Sequence, residues 1–110
     1  MTSKRAYSRM TRRALTTLGK MIRASRLERG MTAQELAERA GISRTTLYQI
    51  EKGAPGPQIG SVFEVATIVG IPLFHGDEAM RDLHDARLDE KLTLLPKVSR
   101  SSKKTVTDDF

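Results

Sequence analysis

Between residues 11 and 75 the apolar positions recur every three or four residues, the interval that lines one face of a helix. Leu15, Leu18 and Ile22, continued by Ser25 or Arg26, predict a first helix from about Thr11 to Gly30, with Arg12, Arg13, Lys20 and Arg23 on its other faces. Leu36, Ala37 and Ala40 predict a second, whose small residues let another helix approach closely; Leu47 and Ile50, three apart, predict a third. Val62, Phe63, Val65, Ala66 and Val69 make a fourth, up to Gly70. Ile71-Pro72-Leu73-Phe74 then restarts the chain, and Pro72 suits a first helical position, so a short fifth helix is expected there. Beyond Gly76, Asp77 can cap a helix bearing Met80, Leu83, Leu88, Leu92 and Leu95 that ends before Pro96, although Lys91 to Leu95 also suits a strand. Its apolar residues spread over roughly half the circumference, more than an isolated surface helix needs. Packing on its own domain and burial in a dimer or a partner are both open.

The polar residues punctuate this pattern with helix starts and stops. Thr32 with Glu35 forms a capping box, in which hydroxyl and carboxylate each satisfy an orphan backbone N–H, and Met31 before it can staple onto Leu36. Gly41 stops that helix, Ile42 plugs the turn, Ser43 caps the next, and Gly53 ends it. Residues 32–53 are therefore read as a helix-turn-helix. Gly53-Ala54-Pro55-Gly56-Pro57 is a loop, since two prolines and two glycines fall within five residues. Ser61 and Glu64 suggest a second capping box. The chain then divides into a flexible basic arm (1–10), an all-α five-helix domain (11–75), an amphipathic helical extension (76–96) and a tail disordered when unbound (97–110).

With 110 residues, 38% apolar and 5% aromatic, the chain can bury only a modest core, and extra stability from a homodimer is expected. It has no cysteine, so disulfides, thiolate metal sites and a Cys nucleophile are excluded. No apolar run approaches the roughly 20 residues that span a bilayer, and the basic N-terminus lacks the apolar segment of a signal peptide, so no membrane partner and a cytoplasmic location are expected. The charge is uneven. Residues 1–31 hold nine Lys or Arg against one acid, residues 32–75 three against four, and residues 76–110 seven against eight. The whole excess is N-terminal, beside the helix-turn-helix, where a polyanion-binding surface would need it.

The inner face of the third helix is committed to packing, which leaves Thr45, Tyr48, Gln49 and Lys52 on the outside. Gln49 can bond adenine bidentately, Arg44 can bond guanine O6 and N7 or a phosphate, and the Thr45 methyl can touch a thymine methyl. Arg44, Thr45 and Gln49 are the candidate base readers. Tyr48 and Lys52, with Thr32, Gln34, Ser43 and a half-packed Thr46 at the two helix starts, are candidate phosphate contacts, as are Arg9, Arg12 and Arg13. An ordinary exposed polar helix would carry similar residues. Nothing points to an enzyme, a cofactor or a metal: His75 and His84 stand nine apart with no metal-like cluster, Asp82, Asp85, Asp89 and Glu90 alternate with Arg81, Arg87 and Lys91 as on a solvated face, and no Gly-rich phosphate loop or nucleophile signature is present.

Residues 18–74 resemble the Cro and phage-repressor, or XRE-like, helix-turn-helix family, with the lambda-repressor-like fold that this implies. The resemblance rests on Leu18, Ile22 and Arg26, on Gly30-Met31-Thr32, Glu35-Leu36-Ala37, Ala40-Gly41-Ile42-Ser43, Thr46-Leu47 and Ile50-Glu51-Lys52-Gly53, and on Ile68-Val69-Gly70-Ile71-Pro72. It implies a second motif helix in the major groove, a first crossing the backbone, a dimer on a pseudo-palindromic double-stranded DNA operator, and a structural ion pair between Arg26 and Glu51. Relatives usually place a phosphate-clamping glutamine directly after the capping Thr; here Ala33 stands there and Gln34 follows. The region after Gly76 is similar to antitoxin-like regulators that partner HipA-type serine/threonine kinases, through its leucine-bearing helix, Leu94-Leu95-Pro96-Lys97-Val98, a basic stretch and Asp108-Asp109-Phe110. That resemblance implies an autoregulating repressor whose last three residues anchor a kinase toxin. A stand-alone phage-type repressor, and a protein-interaction module that does not read DNA, are the alternatives.

Overall fold

The computed structural model describes residues 6–74 and 76–97. Among them it has five α-helices and no strand: α1 (Arg9–Glu28), α2 (Ala33–Ala40), α3 (Arg44–Lys52), α4 (Ile59–Ile68) and α5 (Glu78–Leu94). The chain divides after Leu73 into two units, the first holding α1 to α4 and the second α5.

The core of the first unit is built from the periodic positions. Ile22, Leu36, Ala37, Leu47, Ile50, Val65, Ala66, Val69 and Ile71 are buried together, with Leu18, Met31, Ala33, Ala40, Ile42 and Val62 packed half-buried against them. Burying one such Leu or Ile side chain contributes about 1.5–3 kcal/mol, so these few residues dominate the stability of the unit. Thr32 and Glu35 complete the reciprocal cap at 3.0 and 2.8 Å, and Ser43 accepts from the Thr46 N–H at 3.0 Å. Between the two helices Gly41 takes a left-handed conformation, φ 70°, which a side chain would oppose. The angle between α2 and α3 is therefore set by backbone chemistry at both sides of one glycine.

Gly19 sets the approach of α1 to α3. A Cβ added there would lie 2.6 Å from the carbonyl oxygens of both Ile50 and Glu51, so only glycine allows the two helices to cross this closely.

Four expectations need correcting. Helix α1 starts two residues before Thr11, because the Ser8 hydroxyl caps it by accepting from the Thr11 N–H at 3.2 Å and Arg12 Nη1 donates to the Tyr7 carbonyl at 2.7 Å. Arg9 thus lies on a helix and not in a flexible arm, and residues 1–5 of that arm lie outside the described residues. The Ser61–Glu64 capping box is not made: α4 starts at Ile59, because Pro57 sets the chain direction just before the Gln58 N-cap and places Ser61 inside the first turn. No helix forms at 71–74. Ile71 is drawn into the core, its N–H bonds the Ala66 carbonyl at 2.9 Å, and Phe74 adopts a positive φ of 63° that a helix cannot continue. The fifth helix is instead α5, which includes Lys91 to Leu94 and so replaces the strand alternative.

Helix α5 is capped by Asp77, whose carboxylate accepts from the Ala79 N–H at 3.0 Å. None of its residues is buried. The expected disordered tail lies outside the described residues except for Lys97.

Candidate nucleic-acid interface

Helix α3 is divided cleanly between two environments. Leu47 and Ile50 are 1% and 4% exposed, while Arg44, Thr45, Tyr48, Gln49 and Lys52 all face solvent and Thr46 is half-buried. The split follows from the roughly 100° between successive helical residues, which carries positions 47 and 50 to one side and the remainder to the other. Tyr48 keeps 62% of its surface exposed, and the Lys52 ammonium sits 5.5 Å from the centre of its ring, within cation–π range.

A buried ion pair holds this helix in place. Arg26 of α1 donates from Nε to Glu51 Oε2 at 2.8 Å and from its second terminal nitrogen to Oε1 at 3.1 Å, while Nη1 donates to the Met31 carbonyl at 3.1 Å. The side chains are only 10% and 8% exposed. The Glu51 hydrogen bond raises the Arg26 guanidinium above its ordinary pKa, outweighing the lowering by burial, with the charge of Glu51 adding to the rise. A raised value means that the guanidinium keeps its charge until strong alkali, and its part of the stabilisation is lost only there. The fork therefore ties α1, the turn before α2, and α3 into one piece.

The remaining candidates fall into three groups. Thr32 and Ser43 use their hydroxyls as caps, and the Ser43 hydroxyl also donates to Thr46 Oγ1 at 3.0 Å, so what these helix starts offer a ligand is the first-turn N–H groups. Gln34 donates its amide to Glu38 at 2.8 Å, one turn along α2. Arg9, Arg12 and Arg13 lie exposed on α1, Arg12 with the bond to Tyr7 already described. Asp108, Asp109 and Phe110 lie outside the described residues, as does His75.

Two residues absent from the sequence-based candidates flank the outer face of α3. Lys20 and Arg23 of α1 line a groove of about 770 Å³ together with Tyr48 and Lys52 of α3, and Arg23 also lines a second groove, of about 470 Å³, with Arg44, Thr45 and Ala33. The other flank of α3 differs. There a groove of about 320 Å³ brings Ser43, Thr46 and Gln49 against Gly56, Pro57, Gln58 and Ser61, with no charged residue. The spacing of Lys20 and Arg23 was visible in the sequence, but nothing in it said which neighbouring helix they would face.

Among the described residues no group of three or more His, Cys, Asp or Glu could hold a metal ion, and no helix is long and apolar enough to cross a membrane. The arrangement is thus a rigid, polar, net-basic helix face that can hydrogen-bond and neutralise a ligand.

Comparison with known proteins agrees with this geometry. A helix-turn-helix family model matches residues 22–75. The chain is similar to an uncharacterized HTH-type transcriptional regulator of Methanothermobacter thermautotrophicus, 40% identical over 50 residues, covering 46% of this chain and 72% of that protein. It is also similar to the immunity repressor protein of Bacillus phage phi105, 40% identical over 55 residues, covering 50% of this chain and 38% of that one. A third relative is the cryptic phage CTXphi transcriptional repressor RstR of Vibrio cholerae, 32% identical over 71 residues, covering 64% of this chain and 60% of that one. The chain thus spans less than two thirds of either phage repressor.

Proposed function

This chain belongs to the helix-turn-helix family of transcriptional regulators, and from that premise we propose that it is a sequence-specific repressor that binds double-stranded DNA as a dimer. One observation carries the reading: α3 buries Leu47 and Ile50 and turns Arg44, Thr45, Tyr48, Gln49 and Lys52 outward on a helix locked by the Arg26–Glu51 fork. Arg44, Thr45 and Gln49 read base edges in the major groove, while Tyr48, Lys52 and the first-turn N–H groups of α2 and α3 grip the phosphates that fix the register. The phage repressors among the relatives support repression as the outcome of binding.

Footprinting on the protein's own promoter locates the operator. Arg44→Ala and Gln49→Ala each weaken binding to it by about 1–3 kcal/mol and relax base preference at one position, with the fold unchanged by circular dichroism. Wild-type binding by both variants would exclude α3 as the reading helix. The dimer is tested by sedimentation across a concentration series.

The finer role is an autoregulating antitoxin of a HipA-like kinase, with α5 and the tail as the partner-binding part. It rests on the C-terminal resemblance together with the exposure of Leu88 and Leu92 on α5 and of Leu95 directly after it. Pull-down from the native host with and without residues 97–110 tests it; if neither form retains a kinase, the protein is a stand-alone repressor.

A further inference from the structure

Apart from Arg26, every Lys and Arg of α1 is exposed: Arg9, Arg12, Arg13, Lys20 and Arg23. At roughly 100° per residue, these five fall within an arc of about 100° on the helix cylinder. The core face, through Leu18, Gly19, Ile22 and Arg26, occupies the arc on one side. On the other side Met10, Ala14, Thr17 and Met21 carry no charge, and the single acid of α1, Glu28, lies in that same direction. A basic face with no acid in it, beside a face with no cation, is a segregation that mere solubility does not require.

This face is continuous with the outer side of α3. Lys20 and Arg23 share a groove with Tyr48 and Lys52, and Arg23 shares the next groove with Arg44. The acid lining both grooves, Glu51, is already held by Arg26, so it does not neutralise the row. The row is also rigid. The Ser8 cap and the Arg12–Tyr7 bond fix its start, and the close crossing at Gly19 fixes its middle against α3. From Arg9 to Arg23 it runs about 21 Å at 1.5 Å per residue. A DNA strand carries its phosphates at regular intervals, so a row of that length faces several of them. Charges carried on a preformed helix give up little backbone entropy when they meet a stiff, regularly charged ligand.

We propose that this face of α1 is a phosphate-binding rail that holds one DNA strand beside the groove entered by α3. The inference rests on the reading of α3 as the DNA-binding helix and adds that the two strands flanking α3 are held differently. The α1 side supplies cations, and the Gly56 to Ser61 side supplies neutral groups only.

The test is the salt dependence of binding to a duplex of random sequence, which needs no operator. In the full chain, Lys20→Ala with Arg23→Ala, and separately Arg9→Ala with Arg13→Ala, each lower the slope of log K against log salt by about 2, since each lost phosphate contact removes about 0.9. Alanine is the best helix former, so α1 keeps its structure in both pairs. Arg81→Ala with Arg87→Ala removes the same charge from α5 and leaves the slope unchanged. An unchanged slope in the α1 pairs, or an equal fall in the α5 pair, overturns the rail. If the rail variants behave like wild type while Arg44→Ala still loses operator preference, the rail alone fails. If the wild-type chain binds no duplex at all, the reading of α3 fails with it.

Discussion

Helices α3 and α5 both interleave leucine or isoleucine with charged residues, yet one is half-sunk in a core and the other has no buried residue. The difference begins with the angular placement of the apolar residues. In α3, Leu47 and Ile50 stand three apart and form one narrow stripe, which α1 and α2 can cover completely. In α5, Met80, Leu83 and Leu94 lie to one side and Leu88 and Leu92 to the other, so no single neighbouring helix could cover them all. A narrow stripe lets a helix bury its anchor and spend its remaining surface on a ligand. A broad one leaves apolar surface for an interaction.

The comparison can be broken by substitution. The largest effect is expected at the fork: Glu51→Ala leaves a buried guanidinium unpaired and lowers unfolding free energy by about 3–5 kcal/mol, whereas Arg26→Met with Glu51→Leu restores most of it in urea melts. If the single variant melts like wild type, the pair does not hold α3. Next, Leu47→Ala in α3 should cost about 3 kcal/mol through lost burial and the cavity left behind. Thr32→Ala removes half of the reciprocal cap of α2 and should cost about 1 kcal/mol, read as a shift in the urea midpoint with its slope unchanged. Smallest of all, Leu92→Ala, the same chemical change as at Leu47 but on a side chain 67% exposed, should stay within about 0.5 kcal/mol. A loss at Leu92 approaching that at Leu47 would mean that α5 is covered in solution, and its dependence on protein concentration would identify a second copy as the cover.

Much of this was legible in the chain. The start of α2 could be read from Thr32 and Glu35 and that of α3 from Ser43, because a cap is a contact between residues two or three apart and needs no tertiary partner. The second capping box failed for a reason equally local: Ser61 and Glu64 satisfy the same pattern, but Pro57 and the Gln58 N-cap start the helix three residues earlier. The short helix at Ile71 failed for a tertiary reason, since burying Ile71 in the core turned the chain away from helical geometry. The place of Lys20 and Arg23 beside α3 was not legible, because their spacing shows only that they share a face of α1 and does not name the helix which that face meets.

The sequence by itself therefore determined α2 and α3, their caps, the inward and outward sides of α3 and the family to which these belong. All of these depend on residues within a few positions of one another or on the period of a helix. Tertiary structure alone decided that Arg26 and Glu51, the pair implied by the family resemblance, meet in a two-pronged buried bond, that Gly19 admits the carbonyls of Ile50 and Glu51, and that the basic side of α1 adjoins the outer side of α3. Each of these is set by how two helices cross, a geometry fixed by the packing of the whole core and not by any local run of residues.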